Sequence, residues 1–234
     1  MSAAGDAYGP RPGDDLAALR PRLASCRRCE AAGLIPEARP IFQLPETATI
    51  GLFSQAPGNL AHQGGRPFMD PSGVRLRAWM GVSEAEFYES GRLAIAPMAF
   101  CFPGYDGRGP TGKGGDRPPP KVCADIWREA VMSALPPLRL VLLVGAYAQA
   151  WHLRGESGRL ADRVARWRER IAQSASGTVV LPLPHPSWRN NAWLRANPWF
   201  EAELVPDLQA LVRDALGDPA RAPGPKAGHE NGAP

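Results

Sequence analysis

His185 stands between two prolines in PLPHPSWRNNAW, residues 182–193, directly after the apolar, β-branched TVVL of residues 178–181. A histidine presented rigidly at the end of a strand can act as a hydrogen-bond donor or as an acid–base group near neutral pH. The residues behind it, Ser187, Trp188, Arg189, Asn190 and Asn191, add an aromatic surface and several donors of the kind that contact phosphates or base edges. A proline-stiffened surface loop with an ordinary histidine is the other way to read the same stretch.

A second loop combines unusual residue types. SQAPGN, residues 54–59, places Ser54 and Gln55 at the end of an apolar run and follows them with Ala56, Gly58 and Asn59. Its glycine lets backbone amides approach a ligand closely. GGRPF, residues 64–68, then sets Phe68 beside the cation Arg66. Phosphate binding is one reading, although neither a P-loop nor a GxGxxG fingerprint is present. Phe68 as a plain core residue is another.

Four cysteines complete the reactive set. Cys26 and Cys29 form CRRC, while Cys101 and Cys123 stand apart with 21 residues between them. A lone CxxC fits a redox motif, half of a zinc site or part of an iron–sulfur site. Four thiolates match the ligand count of zinc or of a [4Fe–4S] centre. Four unrelated buried thiols would give the same count.

These residues need a scaffold. The 234-residue chain can bury one α/β core, and its 25 glycines and 26 prolines predict long ordered loops. A net charge of +4 is compatible with a nucleic-acid partner without requiring one. The absence of a secretory leader and of any apolar run near membrane-spanning length predicts a soluble, cytoplasmic protein with no membrane contact. Residues 1–15 read as a flexible arm, 217–234 as a disordered tail, and 16–216 as a single domain. Helical patterns cover residues 15–29, 72–80, 83–89 (with a Ser83–Glu86 capping box), 120–135, 146–153, 159–171 and 198–216. Apolar strand-like runs cover 47–53, 93–100, 138–144 and 178–181. Strands alternating with helices predict a three-layer α/β domain: a mostly parallel central sheet with helices on both faces. Ligands bind such sheets beyond the carboxyl ends of the strands. Both unusual loops begin there.

Together, the APG loop, the downstream GRPF, the strand-end HPS and the spaced cysteines resemble the uracil-DNA glycosylase superfamily. The similarity is to its iron–sulfur branches, families 4 and 5, and spans about residues 20–215. The resemblance implies an enzyme that flips uracil, or another deaminated base, out of DNA and hydrolyses its N-glycosidic bond, initiating base excision repair. His185 would stabilise the departing base anion at O2 and Phe68 would stack on the base. Ala56, Gly58 and Asn59 would help bind the base, and Gln55 would hold the attacking water. Ser187, Trp188, Arg189, Asn190 and Asn191, with Arg66, would engage the DNA. Cys26, Cys29, Cys101 and Cys123 would hold a structural [4Fe–4S] cluster. The implied partner is DNA carrying uracil or abasic sites, met by a monomer.

Two positions depart from the family pattern. Relatives begin the first motif with Gly, whereas this chain carries Ser54 followed by Gln55, which cannot take up a proton. Pro97 occupies the place, four residues before the third cysteine, where family 4 carries a base-reading Asn. These departures favour a branch nearer family 5, or one with relaxed base preference read through backbone groups, Gln55, Asn59 or His62. They also leave two rivals: a catalytically weak protein that binds abasic or damaged DNA, and a nucleotide-phosphate enzyme whose cysteines hold zinc.

Overall fold

The computed structural model describes residues 9–107, 115–174 and 177–217 of the chain. Four strands pair in parallel: β1 (Ile50–Phe53), β2 (Leu93–Ile95), β3 (Leu140–Val144) and β4 (Val179–Leu183), in the spatial order β2-β1-β3-β4. In register, Leu52 stands between Ile95 and Leu142, and Leu142 in turn lies opposite Leu181. Strands buried on both faces must be apolar throughout rather than alternating, which is why they read as continuous hydrophobic runs.

Alternation along each strand divides the core in two. Ile50, Leu52, Leu140, Leu142, Leu181 and Leu183 face a layer built from α4 (Pro71–Met80), α5 (Glu84–Glu89), α8 (Leu160–Ala165), α9 (Trp167–Gln173) and α11 (Val205–Leu216). Phe53, Ala94, Val141 and Leu143 face α1 (Leu16–Ala24), α6 (Lys121–Ala134) and α7 (Ala146–His152). Helical spacing supplies the matching stripes: Cys123, Trp127 and Val131 on α6, and Leu208, Val212 and Ala215 on α11. The expected three layers are present.

Capping follows the sequence closely. Asp15 accepts from the Ala18 amide at 2.8 Å to start α1, and Ser83 and Glu86 form a reciprocal capping box at α5. Boundaries differ where the backbone runs out of partners. The pattern over 15–29 divides into α1 and α2 (Arg28–Ala31), because the Ser25 and Cys26 amides turn back to Pro21 and Leu23 and close the first helix. The run over 93–100 leaves the sheet after Ile95, since Pro97 has no amide to donate. The pattern over 159–171 breaks at Arg166. The closing helix opens with a wide π turn, Phe200–Leu204, next to Pro206, which cannot make the usual i−4 bond. A short helix that the sequence pattern did not predict, α3 (Asn59–Gly64), follows Gly58.

Within the expected arm, the Arg11 amide bonds Asp14 at 2.8 Å and Asp14 pairs with Arg22 at 3.5 Å, tying residues 11–14 to α1. Residues 1–8 lie outside the described residues, as does the expected tail after Gly217. Among the described residues, no helix is long and apolar enough to cross a membrane.

Candidate active site

Chain direction around the sheet sets the location of the site. From β1 the chain crosses to β2 on one side, and from β3 to β4 on the other, so a crevice opens at the carboxyl ends between them. A cleft of about 500 Å³, including its open mouth, lies there. Its walls bring together Gln55, Ala56 and Gly58 after β1, Pro97 after β2, His185 after β4, and Phe68 from the intervening loop. Asn59 opens α3 beside this cleft without lining it. His62 lies outside it too, with its ring nitrogen 3.1 Å from Glu37.

Backbone bonds hold the β1 loop. The Met98 amide donates to the Ser54 carbonyl at 2.8 Å and the Ala99 amide to Gln55 at 3.0 Å. The segment that leaves the sheet at Pro97 therefore serves as the clamp on the first motif.

Phe68 is the only non-glycine residue with a positive φ among the described residues, at 57°. A bulky residue in the left-handed region costs about 1–3 kcal/mol and persists only where its surroundings impose it. Here they do. The Tyr88 hydroxyl donates to the carbonyls of Pro67 at 2.7 Å and Phe68 at 3.1 Å, and Arg77 reaches the Phe68 carbonyl at 3.4 Å. The Phe68 ring meets Phe87 edge-on, with centroids 6.3 Å apart. Arg66 packs its guanidinium 3.9 Å above the Tyr88 ring. A half-buried aromatic ring is thus fixed at the rim of the cleft.

His185 is positioned by its own loop. The Ser187 amide donates to Nδ1 at 3.3 Å, which assigns the ring proton to Nε2. The Asn190 side-chain amide donates to the His185 carbonyl at 2.6 Å. Burial lowers the imidazole pKa, with Asp70 opposing in part, so the ring is neutral at neutral pH. The result is a rigid, uncharged N–H donor.

Beyond it, the loop divides its labour. Trp188 is 73% exposed, and the Arg189 guanidinium lies 5.8 Å from its ring centroid. Asn190 braces the histidine, and Asn191 accepts from Arg75 on α4 at 2.8 Å. Of the group expected to face DNA, Trp188, Arg189 and Arg66 are exposed, whereas Ser187, Asn190 and Asn191 are partly buried.

Two carboxylates line the cleft that sequence reasoning did not select, Asp70 and Asp116. Asp70 is recognisable as the N-cap of α4 in the DPSG stretch, and it accepts from the Gly73 amide at 3.2 Å. Asp116 follows a glycine-rich insertion with no motif to mark it. Burial pushes its carboxyl above the ordinary value, Arg189 pulls it back, and Asp70 adds to the rise.

The cysteines converge on a second cavity, of about 340 Å³, walled by Leu23, Phe100 and Trp127. Cys26 reaches it from the break between α1 and α2, Cys29 from α2, Cys101 from the segment after β2, and Cys123 from the first turn of α6. None of the four is paired in a disulfide. A hydrogen bond from Cys123 holds the Cys29 thiol down to about 7 against the effect of burial, whereas burial pushes Cys101 up to about 12. Among the described residues, no three His, Cys, Asp or Glu side chains gather closely enough to hold one metal ion. The profile of the Uracil DNA glycosylase superfamily matches residues 41–209, a span that contains every residue of the cleft.

Proposed function

The chain belongs to the Uracil DNA glycosylase superfamily, and from that premise we propose that it excises uracil and related deaminated bases from DNA. The observation that carries this reading is the meeting of Gln55, Phe68 and His185 in one cleft at the switch point of the sheet.

A base buried in a duplex must leave the stack to reach such a cleft. Trp188, exposed on the loop that holds His185, can fill the vacated space, and Arg189 beside it can meet a phosphate. The flipped base stacks on the fixed ring of Phe68. As the bond from C1′ to the base breaks, its electron pair moves onto the base and the sugar becomes an oxocarbenium ion. Nε2–H of His185 donates to the carbonyl oxygen where negative charge collects. A neutral imidazole suits this task, because it adds no charge that binding alone would reward. The side-chain oxygen of Gln55 accepts from the attacking water and orients it. With Pro97 in the wall, recognition of the base falls to backbone groups of the Gln55–Gly58 turn and to Gln55 itself.

Cys26, Cys29, Cys101 and Cys123 supply the four thiolates that a [4Fe–4S] cluster takes, and we read their shared cavity as its site. Zinc draws four sulfurs to about 2.3 Å from one centre. A cluster gives each thiolate its own iron, and the four cysteines wall one cavity from separate segments of the chain. When bound, the cluster would supply a structural cross-link between α1, α2, the β2 exit and α6.

The activity is tested on a labelled oligonucleotide carrying one uracil, hypoxanthine or xanthine, in single and double strands, with alkali used to cut abasic products. Cleavage at uracil supports the reading. Tight binding to an abasic strand with no base release from any substrate would make the protein a damage binder instead.

A further inference from the structure

We propose that Asp116 is a catalytic residue of the excision reaction, accepting the proton of the water that Gln55 orients. The assignment rests on the glycosylase activity proposed above. Gln55 can hold water but has no basic site, so the proton must go elsewhere. Asp116 lines the same cleft as Gln55 and His185, and its Oδ2 reaches the first-motif turn: a methyl group at Gly58 would stand 3.5 Å from it. Its backbone is held by a short hairpin base. The Asp106 amide donates to Gly115 at 2.6 Å, the Arg117 amide to Gly104 at 2.8 Å, and Tyr105 bridges to Asp116.

Asp70, the other carboxylate of the cleft, is committed to capping α4 through the Gly73 amide. No hydrogen bond among the described residues engages the Asp116 carboxylate, which leaves it open to water. In the reaction, the C1′–base bond breaks with its electron pair on the base. The water oxygen then bonds to C1′, and its proton passes to the Asp116 carboxylate. Solvent or the released base anion takes that proton afterwards, restoring the site.

Among the described residues, Arg189, Asp70 and Tyr105 act electrostatically with Asp116, and His185 lines the same cleft. Arg189 comes from the DNA-facing loop, where its guanidinium lies against Gly115. A phosphate that draws Arg189 away removes the cation restraining Asp116 and leaves a stronger base. Assembly on DNA and activation of the carboxylate are then one event.

The test is single-turnover excision with wild-type protein, Asp116→Asn and Asp70→Asn, read across pH, beside the affinity for DNA carrying a non-hydrolysable 2′-fluoro analogue of the substrate. General bases contribute typically 10²–10⁴-fold, so Asp116→Asn should slow the chemical step by about a hundredfold or more at unchanged affinity. It should also abolish the acidic limb of the rate profile, since only the ionised carboxylate works. Asp70→Asn should lower the melting temperature and move that limb to lower pH without removing it. An Asp116→Asn enzyme with wild-type rate and an intact limb overturns the assignment while leaving the glycosylase standing, as does a limb that vanishes only in Asp70→Asn. Wild-type protein that releases no base overturns both.

Discussion

Gly73 lies directly beneath the carbonyl of Phe68, so close that a β-carbon there would stand 1.8 Å from the oxygen. The ring proposed to stack on the flipped base thus depends on a residue in the first turn of α4. Gly73→Ala should push the Phe68 carbonyl off its bonds to Tyr88 and Arg77 and tilt the ring. Affinity for uracil-containing DNA and the excision rate should both fall, with a lower melting temperature. Unchanged kinetics in a normally folded Gly73→Ala protein would show that the ring's placement does not matter.

His185→Ala removes the donor proposed to face the leaving base. Loss of one such donor costs about 10²–10³ in rate, and the effect should fall on the single-turnover step rather than on DNA affinity. Gln55→Ala should slow the same step less, because Asp116 remains in the cleft to hold and deprotonate a water when the Gln55 amide is gone. Equal losses in the two variants would contradict this ranking.

The two halves of the site differ in how far they could be read from sequence. The sheet was legible because strands buried on both faces are apolar throughout, whereas His185, Phe68 and the β1 loop each admit a second reading and point to one site only as an ordered set of motifs. Strand ends were less so. Val179–Leu183 extends beyond residue 181 because Pro182 pairs at the edge of the sheet, where a missing donor costs little. Asp116 was invisible for a different reason. A lone aspartate after a glycine-rich insertion has no spacing to mark it, and only the fold carries it to Gly58. Asn190 and Asn191 have the chemistry of DNA contacts, yet the fold spends them on His185 and Arg75.

Acid should weaken the fold through its histidines. His152 stacks on Phe53 with centroids 4.6 Å apart, and burial, then Arg128 and Arg154, bring its pKa from 6.5 to about 3. The unfolded chain takes up this proton first as pH falls below 6.5, so stability declines from there and levels off near 3. Replacing His152 with Phe keeps the stack and removes the titration. Melting temperature plotted against pH should therefore be flatter in His152→Phe than in wild type across that window. His185, lowered in the same sense, adds to the slope that remains.

Cys101→Ala tests the second cavity. The thiols join segments distant in sequence, so losing one ligand should release iron and the absorption near ~400 nm that thiolate-bound iron clusters give, together with much of the thermal stability. A colourless wild-type protein containing one zinc would replace the cluster with a single ion.

The most direct measurement is free base released from a duplex carrying one uracil, followed by mass spectrometry with enzyme in excess, for wild type and His185→Ala in parallel. Wild type should release one uracil per duplex and leave an intact abasic strand, and His185→Ala should do so far more slowly while binding the duplex equally well. A wild-type protein that binds the duplex and leaves every uracil in place would contradict the assignment of the cleft as a glycosylase site.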